Sequence, residues 1–142
     1  MTANSRSLEQ NDLLKARVEQ AYAGFSAGDM DAFFRLLSFR FDAILVEPEG
    51  LPYGGTYRGP VAIREGIEAA MATWADGHVE IEKVAAADNL VFVYMHAFCQ
   101  GKTSGMSFAH PLVEVLRFEG EDCLELRPFH FDTVRLAAVL GR

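Results

Sequence analysis

The stretch Leu90-Val-Phe-Val-Tyr-Met-His-Ala-Phe-Cys99 decides the fold class of this 142-residue chain. A polar segment, Gln100-Gly-Lys-Thr-Ser-Gly105, separates it from a second apolar run at residues 107–118. Two runs rich in aromatic and β-branched residues on either side of a glycine-containing turn are typical of a long β-hairpin. Both faces of the first run are apolar. We therefore expect helices to cover one face and a second copy of the chain to cover the other.

The elements around this hairpin predict an α+β fold in a single domain over residues 1–142, with residues 1–7 flexible. Apolar residues at helical spacing, with caps, predict helices at 8–26, 30–37, 60–77 and 133–140. Period-two patterns predict strands at 41–46, 79–84, 90–99, 107–118 and 123–131. Helices that precede a run of antiparallel strands indicate the α+β class.

Composition and charge exclude several classes of partner. The net charge is −7 and the chain has no run of Lys or Arg, which argues against nucleic acid and against an anionic membrane. No apolar span reaches ~18 residues and no signal core is present, so we expect a cytoplasmic protein. Cys99 and Cys123 lie in apolar runs and are expected to be buried free thiols. Without Cys-x-x-Cys or compact histidine spacings, we expect neither a metal nor a cofactor.

A loop rich in glycine, proline and tyrosine follows Glu47, which ends the first predicted strand. The pair Gly54-Gly55 has the look of a phosphate-binding loop, but the Gly-Lys-Ser/Thr ending and the Rossmann spacing are absent. We therefore predict the rim of a small-molecule pocket. In this interpretation the loop holds Glu47 at the rim, and Gly54-Gly55 lets the backbone turn close to a ligand.

The hairpin predicts a face that carries several titratable groups. If the loop is centred near Thr103, His96 lies opposite His110 and Phe92 lies opposite Glu114. His96, His110 and Glu114 then share one face with aromatic residues. Buried polar groups need partners or a function, so this cluster indicates a pocket.

Simpler interpretations stay open for each of these residues. A single histidine on an apolar face is commonly a satisfied core or dimer-contact residue, and Glu114 has Arg117 and Arg127 as possible salt-bridge partners. His130 joins the same face in one register of the last strand, and a one-residue slip turns it to the other side.

Several motifs in order resemble the nuclear transport factor 2-like superfamily, which includes SnoaL-like polyketide cyclases and ketosteroid isomerases. The resemblance runs from about residue 14 to the end and rests on Ala27-Gly-Asp-Met-Asp31, Glu47-Pro48, Gly55-Thr-Tyr-Arg-Gly-Pro-Val-Ala-Ile-Arg64, Leu116-Arg-Phe118 and Pro128-Phe-His-Phe-Asp-Thr133. It implies a cone, in which a strongly curved, mostly antiparallel sheet wraps around the N-terminal helices and encloses a central pocket. Relatives with this fold are usually dimers.

The resemblance also implies roles for two acids. Glu47 stands where ketosteroid isomerases place a general-base aspartate, and Glu114, four residues before Phe118, stands where they place a protonated aspartate. An apolar pocket raises a carboxyl pKa, so we expect Glu114 to be neutral while Glu47, beside a loop, stays ionised. The oxyanion tyrosine of the isomerases aligns with Ala21, and Tyr22 is the next residue, about 100° further around the helix.

Two further similarities concern the histidines. Scytalone dehydratase, another relative, works with a pocket histidine pair, which His96 and His110 resemble in type. The segment His130-Phe131-Asp132 is similar to the His-Trp-Asp of SnoaL-like cyclases. Counted from Arg117-Phe118, however, it lies about four residues further along the chain than in those cyclases. We therefore expect Asp132 to cap the last helix.

These observations predict a small-molecule pocket protein that performs cofactor-free proton transfer, such as isomerisation, cyclisation or dehydration, on an apolar substrate with a carbonyl or hydroxyl group. The alternatives are a non-catalytic ligand-binding protein and a dimeric interaction module. The predicted catalytic residues are Glu47, Glu114, His96 and His110. The predicted substrate contacts are Tyr22, Tyr53, Tyr57, Trp74, Phe92, Tyr94, Leu112 and His130.

Overall fold

A computed structural model describes residues 8–141, and the predicted flexible segment 1–7 lies outside the described residues. Within that range the chain forms α1 Leu8–Ser26, α2 Met30–Leu37, β1 Phe39–Glu47, β2 Gly55–Arg58, α3 Pro60–Met71, β3 Trp74–Ala87, β4 Leu90–Gly101, β5 Ser107–Glu119, β6 Asp122–His130 and α4 Thr133–Leu140. None of these helices has the length and apolar character needed to cross a membrane.

The six strands form one mixed sheet in the order β2-β1-β6-β5-β4-β3. Neighbouring strands are antiparallel except β1 and β6, which are parallel. The predicted α+β cone is confirmed, since the sheet stays open and α1 and α3 pack against it. Between the helices and the sheet lies an apolar core that includes Val18, Phe33, Leu45, Val93 and Leu116.

Local signals in the sequence explain most of the helix boundaries. The Asp29 side chain accepts a hydrogen bond from the Ala32 amide at the start of α2, and the Asp132 side chain caps α4 through the Arg135 amide. The expected cap at Asp132 is therefore confirmed.

The secondary structure differs from the prediction at the end of the third helix and at one additional strand. We expected the third helix to continue to Gly77, but α3 ends at Met71 and β3 begins at Trp74. The reason is pairing with β4, since Trp74 lies opposite Gly101 and Gly77 opposite Cys99. The strand β2 was also missed, because it has only four residues and lies at the sheet edge.

The hairpin of β4 and β5 is confirmed, but its register differs from the predicted one by one residue. Ala97 lies opposite His110, and His96 lies opposite Pro111. The turn explains the shift, because the Gly101 amide bonds to the Met106 carbonyl and moves the centre of the loop by half a residue. As a result the odd-numbered residues of β4 share a face with the even-numbered residues of β5. On β4 the odd-numbered side chains are the buried ones that face the helices, and the even-numbered ones face outwards.

The end of β4 also receives α4 at very close range. A Cβ atom at Gly101 would lie 1.8 Å from the Val139 carbonyl oxygen, so only glycine allows this approach. The Ser104 hydroxyl in the hairpin loop bonds to the same carbonyl. These contacts place α4 over one end of the inner face of the sheet.

Candidate functional site

A cavity of about 80 Å³ lies between the helices and the inner face of the sheet. Its apolar walls include Phe25, Phe33, Ile67, Met95, Leu126 and Leu136. Eight of the twelve predicted site residues line it, namely Tyr22, Glu47, Tyr53, Trp74, His110, Leu112, Glu114 and His130. The cavity thus brings two carboxyl groups, two tyrosines and two histidines into a largely apolar space.

Glu47 is the last residue of β1 and lies opposite Gly55 of β2. Its exposure is only 6%, and its Oε1 atom has no hydrogen-bond partner. Burial raises the pKa of Glu47 to about 8, and the nearby charge of Glu114 acts in the same direction. Our expectation that Glu47 stays ionised is therefore wrong.

The loop after Glu47 explains this burial. Residues 48–54 fold back over the strand end, with Leu51 fully buried and Tyr53 at 8% exposure. A Cβ atom at Gly54 would lie 2.4 Å from the Pro48 carbonyl oxygen, so the glycine lets the loop close on itself. We expected this glycine to serve the approach of a ligand, and the loop's own packing accounts for it instead.

Glu114 takes its hydrogen bond from α1. The Tyr22 hydroxyl donates to Glu114 Oε1 at 2.5 Å, and the Tyr22 ring packs edge-on against Phe33. Burial raises the pKa of Glu114, and the bond from Tyr22 partly opposes that shift. Burial and the Glu114 charge also raise the pKa of Tyr22, which keeps the hydroxyl protonated.

Tyr22 reaches the cavity even though the resemblance aligns Ala21 with the oxyanion tyrosine, because both residues belong to the wide buried stripe of α1. The salt-bridge interpretation of Glu114 is not supported. Arg127 pairs with Glu125 at 3.0 Å, and Arg117 lies on the exposed side of β5.

The two cavity histidines bond to each other. His110 Nε2 and His130 Nδ1 lie 3.0 Å apart, and the His110 ring stacks on Phe108 with 4.7 Å between ring centroids. Burial lowers the pKa of both, that of His130 to about 4. Both rings are then neutral at pH 7, and a single N–H joins them. His110 Nδ1 is buried without a hydrogen-bond partner.

Four predicted site residues lie outside the cavity. Phe92, Tyr94 and His96 are on the outer face of β4, because in the true register it is the odd-numbered residues of β4 that share a face with His110 and Glu114. His96 lies 3.4 Å from Glu82 of β3, so the predicted pair with His110 is wrong. Tyr57 donates its hydroxyl to the Tyr53 carbonyl oxygen at 2.6 Å and holds the loop beside the cavity.

Sequence reasoning missed other wall residues. Met95 and Ala97 belong to the face of β4 that we assigned to the outside, and correct register was the missing signal. Phe25 and Phe33 were visible as apolar helix positions, but nothing in the spacing separates a cavity wall from a filled core.

The comparisons with known proteins agree with this geometry. A family model described as a SnoaL-like domain matches residues 18–125. This chain belongs to the SnoaL-like domain family. No curated protein matches it. A SnoaL-like domain with this cavity is a small-molecule pocket protein.

Three similar solved structures show the same fold at low identity. An NTF2-like protein from Burkholderia thailandensis E264 has 19% identity over 91% of this chain and 98% of that chain, with a TM-score of 0.81. TerC co-crystallised with polyporic acid has 17% identity, the same coverage and a TM-score of 0.76. A protein from Catenulispora acidiphila DSM 44928 with a ketosteroid isomerase-like fold, in complex with trimethylamine, has 22% identity over 85% and 90%, with a TM-score of 0.68. The predicted resemblance to the nuclear transport factor 2-like superfamily is confirmed.

Proposed function

We propose that this SnoaL-like protein catalyses cofactor-free proton transfer on an apolar ligand that carries a carbonyl or hydroxyl group. One observation carries the proposal: two buried carboxyl groups line one cavity in different hydrogen-bonding states. Glu47 Oε1 has no partner, whereas Glu114 Oε1 receives the Tyr22 hydroxyl. Groups in such different environments are suited to different roles in acid–base chemistry.

Glu47 is the proton acceptor in this proposal. A general base works best when its pKa lies near the operating pH, and the pKa of Glu47 is raised to about 8. At pH 7 roughly a tenth of Glu47 is ionised, and that fraction is a stronger base than an ordinary carboxylate. Removal of a proton beside a carbonyl and its return at another atom underlie isomerisation, cyclisation and dehydration alike.

The Tyr22–Glu114 pair supplies a donor for the ligand oxygen. The neutral Tyr22 hydroxyl spends its one O–H on Glu114 Oε1 and holds that carboxyl in place, so a protonated Glu114 is the donor that faces the ligand. Fixed donors in a water-poor cavity stabilise negative charge that develops on a carbonyl oxygen. The uncharged His110–His130 pair adds a polar wall without adding a competing charge.

Proton exchange at carbon tests this proposal. We expect the protein to accelerate deuterium uptake by small cyclic ketones in D₂O, and to isomerise a β,γ-unsaturated cyclic ketone, both followed by NMR. Glu47→Gln should reduce the rate at least about 100-fold, because it removes the base but keeps the shape. Glu65→Gln is the matched control, since Glu65 is exposed on α3 and does not line the cavity.

Equal rates in the wild type and Glu47→Gln would contradict the catalytic role. Ketone binding without exchange would instead support the non-catalytic ligand-binding alternative. That alternative draws on the Tyr22–Glu114 bond, which gives each of these two groups a hydrogen-bond partner within the protein.

We also propose a homodimer that forms through the outer face of β4 and β5. Tyr94 is 39% exposed there, among the apolar side chains of Phe92, Phe98 and Val115. Exposed apolar patches of this kind are typical of protein interfaces. Light scattering should give a mass near twice 15.7 kDa, and Tyr94→Asp should give a monomer. A monomeric wild type at micromolar concentration contradicts this.

The cytoplasmic location stays a prediction.

A further inference from the structure

The sheet opens between β1 and β6 beside the cavity. Their parallel pairing ends at Leu45 and Leu126, although β1 continues to Glu47 and β6 continues to His130. Pro128 has no backbone N–H with which to extend the ladder. Beyond this point β1 remains paired only with β2, and β6 only with β5. The two strands therefore leave a part of the cone wall without backbone pairing between β1 and β6, which we call the gap.

A groove of about 310 Å³ lies outside this gap, between the strand ends and the start of α4. Glu47, Pro128 and His130 line both the groove and the inner cavity, so these three residues form the partition between the two spaces. The apolar part of the remaining wall comes from Val46, Pro48 and Phe129, and Phe129 is 54% exposed. The polar part comes from Glu49, Arg127 and Thr133.

The sizes of the two spaces suit different parts of one molecule. The cavity of about 80 Å³ has room for roughly five to eight water molecules, which matches a single small ring or a short branched group. The groove outside is several times larger. Arg127 in the groove wall is already paired with Glu125 at 3.0 Å, so the groove favours an uncharged occupant over an anionic one.

We propose that one ligand spans both spaces. A compact head that bears the carbonyl or hydroxyl oxygen lies in the cavity, and a flat aromatic or alicyclic body lies in the groove against Pro48 and Phe129. The part of the ligand that joins the head to the body passes between Glu47 and His130. The chemistry of the head rests on the proposed function, whereas the path through the gap rests on the geometry alone.

A thiol placed in the cavity tests the path without any turnover. Ala97 lines the cavity at 4% exposure, and Ala97→Cys adds one sulfur atom there. The probes are methyl and benzyl methanethiosulfonate, and peptide mass mapping separates labelling of the introduced thiol from that of the buried Cys99 and Cys123. We expect both reagents to label the introduced thiol.

Two substitutions should block the groove from opposite sides. Thr133→Trp acts from α4 and Glu49→Trp acts from the β1 side, and each should slow labelling about tenfold or more by closing access to the thiol. Val134→Trp is the control, because Val134 is 82% exposed beside Thr133 and does not line the groove. Circular dichroism checks folding, and the two blocking sites lie on separate elements so that one misfolded variant does not decide the test.

Phe129 tests the site for the body of the ligand. Phe129→Ala should slow labelling by the benzyl reagent and leave the methyl reagent unchanged, while Phe131→Ala, at an 81% exposed ring outside the groove, should change neither. An unlabelled thiol, unchanged rates in both blocked variants, or an equal effect of Phe129→Ala on both reagents would overturn the proposal. A protein that passes this test but exchanges no ketone protons retains the spanning site and loses only the catalytic function.

Discussion

The two faces of β4 have similar composition and very different surroundings. On the inner face Val91, Val93 and Met95 are at most 2% exposed, whereas on the outer face Tyr94 is 39% exposed and His96 lies beside Glu82. The difference comes from what packs on each face, namely helices on one side and solvent in the monomer on the other. Apolar composition alone therefore does not reveal which face of a strand lines a pocket.

The largest contrast should appear when a charge is placed on each face of β4. Val93→Asp should cost about 4 kcal/mol of unfolding free energy or more, because it buries an unpaired carboxylate at a fully buried site. Tyr94→Asp should cost the monomer less than about 1 kcal/mol. Urea denaturation followed by circular dichroism measures both, at protein concentrations where light scattering shows a monomer. Similar losses would contradict the assignment of the faces.

The inner acid Glu47 should give the protein a pH-dependent stability. The folded state holds the Glu47 proton up to a pKa of about 8, while the unfolded chain releases it near 4.5, so this contribution is lost as pH rises from about 4.5 to 8. The full effect is at most about 5 kcal/mol. Glu47→Gln should remove that fall, and the exposed Glu49→Gln should retain it. If Glu47→Gln leaves the dependence of unfolding free energy on pH unchanged, the folded protein does not raise the pKa of Glu47.

The buried pair of His110 and His130 should make the stability depend on pH in the opposite direction. Its members remain neutral when folded, with the pKa of His130 near 4, so their contribution is present above about 6.5 and is lost as pH falls towards 4. His130→Gln should remove up to about 3 kcal/mol of this dependence. Stability curves between pH 4 and 8 check it. A shift of the slope in the same direction as in Glu47→Gln would contradict a buried neutral pair.

The outer histidine should give the smallest effect. His96→Gln removes only a partly exposed contact with Glu82, so the unfolding free energy should change by less than about 0.5 kcal/mol. Ketone exchange should remain at the wild-type rate, and labelling of the thiol in Ala97→Cys should not change when His96→Gln is added. A loss of more than about 2 kcal/mol would contradict the outer position of His96.

Local signals made most of the fold predictable. Helices α1, α2 and α4 follow from apolar spacing, and the caps at Asp29 and Asp132 lie where the sequence indicates. The end of α3 was not predictable in this way, because Trp74 continues the helical pattern and only pairing with Gly101 places it in a strand. Tertiary contacts overrode a local preference there.

The candidate site was also predictable where local signals suffice, and it was not predictable where tertiary contacts decide. Glu47 and Glu114 stand out in the sequence as acids within apolar strands, and both line the cavity. The histidine partners depend on a single residue of register, which the turn sets through the bond between Gly101 and Met106. A loop with several small and polar residues is compatible with either register, so the sequence could not select His130 over His96 as the partner of His110.

The parallel pairing of β1 with β6 also bears on how the protein is made. It joins residues about 80 positions apart, Phe39 with Cys123 and Leu45 with Leu126. Contacts at such separation are slow to form because a long loop must close first. The cavity around Glu47 is therefore incomplete during synthesis until the strand that carries Leu126 and His130 has emerged. A ligand can stabilise this chain only after that stage, because part of the cavity wall is missing before it.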